Sequence, residues 1–255
     1  MKTFIYTTIS KLVKKLYKNT VVSKTIKGFN SVIYYEKAQH LNFLFQKEAN
    51  YEGHLLQAIR RYIKRGDVIF DIGANIGQYA LPFSELVGKE GKIVAFEPDS
   101  KNYAFLQFNV QVNKCANVIC ENYGLGATET VQEFYRDTET GGRKGSFKLE
   151  YVEDSYTGIT EQVVINTLDS AIATFGAPNF IKIDIEGFEA DVLSGLTKQL
   201  THCIFFIEVR PKTQATVFEF FKSKGFVCFC IDSGEQEITS PEQLSNISNL
   251  LFYKA

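Results

Sequence analysis

Val68-Ile69-Phe70-Asp71-Ile72-Gly73-Ala74-Asn75-Ile76-Gly77-Gln78 decides how the rest of this chain is read. Val68-Ile69-Phe70 is a short apolar run, typical of a strand in a sheet covered on both faces. It ends in Asp71. Gly73 and Gly77 punctuate the loop that follows, and Gln78-Tyr79-Ala80-Leu81 opens a helix. Strand, glycine loop and helix make the first turn of a nucleotide-binding βαβ unit. Gly73 can take positive φ and lets a ligand lie on bare backbone, and Gly77 lets helix and strand approach closely. Asn75 turns the loop and offers a polar side chain.

The loop reads D-x-G-x-N-x-G, which departs from the dinucleotide fingerprint. In that fingerprint a helix N-terminus faces a pyrophosphate. Asp71 beside that position would repel phosphate and would suit a ligand that carries an ammonium group and no phosphate, such as S-adenosylmethionine. A second apolar strand, Lys92 to Phe96, ends in Glu97, which lies 26 residues after Asp71. That is where a carboxylate holds a ribose diol, accepting from both hydroxyls. Pro98 stops the strand, and Asn102 to Asn113 follows as a helix with Tyr103, Leu106 and Val110 inward. Asn117 to Asn122 is the third strand. The loop after it places Asn122, or the backbone of Tyr123, beside an adenine ring. Upstream, Glu52 begins a helix over 51–64 and is a candidate to face the same pocket.

Phe180-Ile181-Lys182-Ile183-Asp184-Ile185-Glu186-Gly187 is the fourth strand and its loop. Lys182, Asp184 and Glu186 fall on one side of it. Charges within an apolar strand cost free energy unless they are paired or used. At a strand's C-terminal end they line the ligand crevice of an open α/β sheet. Asp184 and Glu186 therefore read as a catalytic edge, and the competing reading is a structural network of Lys182 with the carboxylates. His202 to Val209 is the fifth strand, with Glu208 near its end. Residues 225–231 and 249–253 are the last two strands, expected as an antiparallel hairpin at the sheet edge. An insertion over 127–162 carries a strand at Val131 to Arg136, a glycine-rich polar loop and a returning strand at Gln162 to Asn166.

At 255 residues the chain fits one α/β domain with an appendage. A formal charge of −1 gives no global field that argues for nucleic acid. Five cysteines and three histidines lack metal-ligand spacing, so no metal site and no disulfide framework is expected. No apolar run reaches the ~18 residues of a membrane span. Residues 1–30 carry lysines and no acidic residue, with Ile5, Ile9, Leu12, Val13, Leu16 and Tyr17 at helical spacing. This basic helix reads either as docked on the domain or as a peripheral contact with a membrane surface. The expected location is cytoplasmic.

The motifs D-I-G-A-N-I-G-Q-Y, E-P-D-S-x-N, N-T-L-D-S and I-K-I-D-I-E-G-F-E-A-D-V-L-x-G-L occur in that order. Together they resemble the FkbM family of S-adenosylmethionine-dependent methyltransferases, over roughly Tyr51 to Tyr253. The resemblance implies a seven-stranded, Rossmann-like class I methyltransferase sheet, mostly parallel, with an antiparallel C-terminal hairpin and helices on both faces. With an N-terminal helical extension, the expected division is 1–50 and 51–255. It also implies O-methylation of a hydroxyl on a sugar, glycan or small natural product. By motif position, Asp71, Gly73, Asn75 and Gly77 would hold the methionine half and Glu97 the ribose. Asp184 and Glu186 would sit near the transferring methyl. A hydroxyl nucleophile needs its proton taken by a carboxylate or histidine within reach, and Asp184 is the expected base, with Glu186 orienting the substrate. The alternatives are a cofactor-binding protein without catalysis, a membrane-surface scaffold and a nicotinamide oxidoreductase. Oligomeric state is left open.

Overall fold

The computed structural model describes residues 20–38, 49, 52–137, 145–152, 156–244 and 246–254. The basic helix expected over Ile5 to Tyr17 lies outside them, as does most of the glycine-rich loop of the insertion. The described part opens with strands β1 (Val21–Thr25) and β2 (Val32–Glu36), paired antiparallel. Over residues 21–36 the expected extension is therefore a hairpin rather than helix, because β-branched and aromatic residues stand on both sides of Gly28 (φ +84°). Helix α1 (Gly53–Ile59) runs into a short 3-10 turn, and β3 (Val68–Ile72) follows. Next come α2 (Ala80–Val87), β4 (Lys92–Phe96), α3 (Ser100–Val112) and β5 (Val118–Glu121). Asp99 caps α3 by accepting from the amides of Lys101 and Asn102, both at 2.9 Å.

The hairpin docks on α3 through side-chain amides. Asn113 accepts from the Val32 amide at 2.7 Å and donates back to the Val32 carbonyl at 2.7 Å. Asn109 does the same for Tyr34, at 2.8 and 3.0 Å. The asparagines satisfy the outer edge of β2 as a third strand would.

Three strands then build a separate small sheet. They are β6 (Gly124–Gly126), β7 (Thr130–Asp137) and β8 (Tyr156–Thr167), in the order β6-β8-β7. The loop expected after the third strand is therefore itself a strand, paired parallel to β8. Thr167 caps α4 (Leu168–Phe175) in a reciprocal box with Ser170. The chain continues through β9 (Phe180–Ile183), α5 (Glu189–Ser194), β10 (Ile204–Val209), α6 (Gln214–Lys222), β11 (Val227–Cys230), β12 (Gln236–Glu237) and β13 (Ser248–Tyr253).

The main sheet has eight strands in the order β12-β11-β13-β10-β9-β3-β4-β5, not seven. The extra strand is the two-residue β12, held by two register pairs to β11 and without strand propensity of its own. β11 and β13 pair antiparallel as expected, but β13 lies inside, between β11 and β10. The strands β5, β4, β3, β9 and β10 are parallel. Their residues alternate between two cores. Phe70, Val94, Phe96, Ile181, Ile183, Phe205 and Ile207 face α4, α5 and α6. Ile69, Ile93, Ala95, Phe180 and Phe206 face α1, α2 and α3. Burial on both faces explains why these strands read as largely apolar runs, with Lys182 of β9 the charged residue buried among them.

Candidate active site

An acidic residue stands at or beside the C-terminal end of each of β3, β4, β9 and β10, namely Asp71, Glu97, Asp184 and Glu208, and the last three line one cleft of about 300 Å³. Its walls include Gly73, Asn75, Gln78, Tyr79, Glu97, Lys182, Asp184, Glu186, Glu208 and Arg210. A roof of Phe134, Gly145, Ser146 and Phe147 comes from β7 of the small sheet and the segment between β7 and β8.

Lys182 stands at the centre. Asp71 is its register partner across β3 and β9. Its Nζ lies 3.4 Å from Asp71, 3.4 Å from Asp184 and 3.0 Å from the Gly73 carbonyl, and it sits over the Tyr79 ring. Burial alone would lower the Lys182 pKa, but Asp184 and Asp71 outweigh it and hold the ammonium above its ordinary range. Asp71 is fully buried, and neither of its oxygens makes a hydrogen bond among the described residues. Burial raises its pKa against the pull of Lys182. Tyr79 also donates to Glu52 at 3.0 Å, and Glu52 itself takes a left-handed backbone (φ +50°) at the start of α1.

Gly73 (φ +78°) serves the meeting of two strand tips, since a Cβ there would stand 2.1 Å from the Asp184 carbonyl oxygen. Gly77 is turned away from the cleft against Leu106 of α3. Glu97 is aimed by backbone: its carboxylate accepts from the Asn75 amide at 2.7 Å and the Asp99 amide at 3.0 Å. Burial, then the nearby Asp99, pushes Glu97 up to about 8 against those two amides. Asn122 does not line the cleft; its amide donates to the carbonyls of Glu97 at 2.9 Å and Pro98 at 3.3 Å, bracing that loop.

At the other end, Arg210 pairs with Glu186 and, at 3.1 Å, with Glu208. Burial and the neighbouring Asp184 raise Glu208 to about 9, against Arg210. The roof is tied down at both ends. Arg136 makes a two-point contact with Asp99 at 2.7 and 3.0 Å, and Glu161 accepts from Ser100. Ser146 donates to the Glu186 carbonyl at 2.6 Å, and Lys148 to that of Gly187 at 3.2 Å.

Of the residues singled out in the sequence, Gly73, Asn75, Glu97, Asp184 and Glu186 line the cleft. Asp71 and Glu52 sit behind it, linked through Lys182 and Tyr79. Sequence reasoning missed Tyr79, Arg210 and the aromatic roof. Arg210 had a weak signal, as the charge two residues beyond Glu208. Phe134 and Phe147 had none, because the insertion reaches the cleft only through tertiary packing.

Residues 71–229 match the family model described as Methyltransferase FkbM domain. A hexuronic acid methyltransferase, AglP, of Haloferax volcanii is 27% identical over 160 residues, covering 61% of this chain and 61% of the relative. Among solved structures, the FkbM methyltransferase of Methylobacillus flagellatus aligns over 73% of this chain and 43% of its own, at 17% identity and a TM-score of 0.50. The T. thermophilus 16S rRNA N2 G1207 methyltransferase RsmC, solved with AdoMet and guanosine, aligns over 92% of this chain and 50% of its own, at 14% identity and a TM-score of 0.52. At such identities these likenesses speak for the fold.

Proposed function

Since this chain belongs to the FkbM methyltransferase family, whose methyl donor is S-adenosylmethionine, we propose that it methylates a hydroxyl oxygen on a sugar, glycan or small natural product. The observation that carries this reading is the ring of strand-tip acids around one cleft, with Glu97 aimed inward by two amides. The residues present fit the donor. The Gln78 amide nitrogen is buried in the cleft wall without a partner among the described residues, and Glu97 can accept from a ribose diol. Around the cleft stand Glu52, Asp71, Glu97, Asp184, Glu186 and Glu208, with Lys182 and Arg210 to offset them. Glu97 and Glu208, whose carboxyls are raised to about 8 and about 9, ionise more readily beside a cationic ligand and less readily beside a pyrophosphate, so a nicotinamide cofactor fits poorly.

Bound here, the donor supplies an electrophilic methyl carbon on positively charged sulfur. Gly73 and Asn75 hold its methionine half, with Asp71 supporting the loop from behind, and Glu97 takes its ribose. Asp184 removes the acceptor's hydroxyl proton and Glu186 orients the acceptor. Most of the catalysis lies in holding donor and hydroxyl in line. The AglP likeness supports a sugar acceptor. A screen of uronic acids, neutral sugars and small hydroxylated metabolites, read by mass as formation of S-adenosylhomocysteine, tests the reading. Product with at least one hydroxylated acceptor is expected, and a protein that binds neither donor nor its demethylated form would overturn it.

Glu97 makes the donor site pH-dependent. Its carboxyl holds a proton below about 8 in the free protein, whereas accepting two hydroxyls requires the ionised form. Affinity for S-adenosylhomocysteine should therefore rise with pH, by up to about tenfold per unit, and level off above that value. Calorimetry should find this slope in the parent protein and a weaker, flat profile in Glu97→Gln. A parent affinity independent of pH would remove Glu97 from the ribose role.

A further inference from the structure

Glu208 is given no step in the reaction above, yet it shares the cleft with both proposed catalytic carboxylates. β10 runs parallel to β9 with Ile207 opposite Ile183, so Glu208 and Asp184 emerge side by side at neighbouring strand tips. Their surroundings differ. Asp184 is held by the buried, charged Lys182 at 3.4 Å. Glu208 faces Asp184 and Glu186 from the loop after β9 and feels Glu52 from the start of α1. Among the described residues its cationic partner is Arg210, which it shares with Glu186 and which contacts one of its oxygens. Its neighbour on the other side is the uncharged Asn249 of β13.

We propose that Glu208 is the terminal proton acceptor of the methyl transfer: it is protonated in the free protein, releases that proton when the cationic donor is bound, and receives the acceptor's hydroxyl proton through Asp184. This deepens the methyltransferase reading and rests on it. The step balances. Asp184 takes the hydroxyl proton as the oxygen–carbon bond forms, and the carbon–sulfur electron pair stays on sulfur. The ionised Glu208 then takes the proton from Asp184, leaving Asp184 charged against Lys182 as before. Loss of the positive charge from sulfur restores the conditions under which Glu208 holds a proton. Burial, and after it the crowding of carboxylates, raises Glu208 to about 9, which supports the protonated resting state. An added positive charge within a few ångströms lowers a carboxyl's pKa by about 1–3, enough to release the proton near pH 8.

The test needs no acceptor. The full-length protein is titrated near pH 8 with S-adenosylmethionine and, separately, with S-adenosylhomocysteine. Calorimetry in phosphate and in Tris, which differ in ionisation enthalpy, counts the protons released. Any contribution from Glu97 at the ribose is common to both ligands and cancels in the difference. The charged donor should release about 0.4–0.9 of a proton more than its uncharged product. In Glu208→Gln that difference should vanish while both ligands still bind, and Glu208→Asp should retain it. Equal release by the two ligands in the parent protein would overturn the proposal even if the Gln variant fails to fold. So would a difference that survives in Glu208→Gln. Binding of neither ligand would overturn the methyltransferase reading itself, and this proposal with it.

Discussion

Lys182→Met is expected to destabilise the protein by about 3–5 kcal/mol at neutral pH, the usual result of stranding buried charge by removing its partner. Methionine fills most of the lysine stem's volume, so the loss would come from charge rather than from a cavity. Asp71 is fully buried, and Lys182 is its ion-pair partner. Asp184 would lose the same ammonium, and the Gly73 carbonyl would lose its donor at 3.0 Å. The pH dependence of the deficit has a definite sign. Asp71 already has a folded pKa above its unfolded value. Without Lys182 that pKa rises further, so the folded variant holds a proton that the unfolded chain gives up near 3.8. Its stability should fall as pH rises through that widened window, and its deficit against the parent should be smaller near pH 5 than near pH 8. Urea denaturation at the two pH values measures this. A deficit below about 1 kcal/mol near pH 8 would mean that Lys182 does not balance the two carboxylates.

Asp184→Asn is expected to lower turnover by about 100- to 10,000-fold, the usual contribution of a positioned general base. The amide keeps the shape of the carboxylate but cannot take a proton. Lys182 remains paired with Asp71 and bonded to the Gly73 carbonyl, so the donor loop should hold its form. Affinity for S-adenosylhomocysteine should stay within a few-fold of the parent. The split between turnover and affinity separates a base from a structural member of the Lys182 network. A variant with near-normal turnover would leave Asp184 only the structural role. A variant that loses donor affinity in proportion would show that it shapes the loop instead.

The central strands were legible because the sheet is buried on both faces. Where Phe70 packs to one side and Ile69 to the other, both must be apolar, and the run is visible without any partner. Small elements were not legible. Gly124–Gly126 has no propensity to be a strand and becomes one through its ladder with β8. Gln236–Glu237 is likewise a strand only because β11 lies beside it. The β1–β2 hairpin depends on Asn109 and Asn113, more than seventy residues away on α3.

What the sequence determined by itself was the sheet and the acidic character of its working edge, since apolar runs ending in Asp71, Glu97, Asp184 and Glu208 are local patterns. The competing idea of a lysine and carboxylate network was also in view, because Lys182 had to be paired or used. Tertiary structure alone decided which cation serves which acid. Lys182 meets Asp71 because β3 and β9 lie in one register, and Arg210 reaches Glu186 because β10 runs parallel beside β9 and the segments after the two strands are neighbours. Strand register and loop packing involve residues far apart in the chain, and electrostatic pairing acts only over the few ångströms that folding creates.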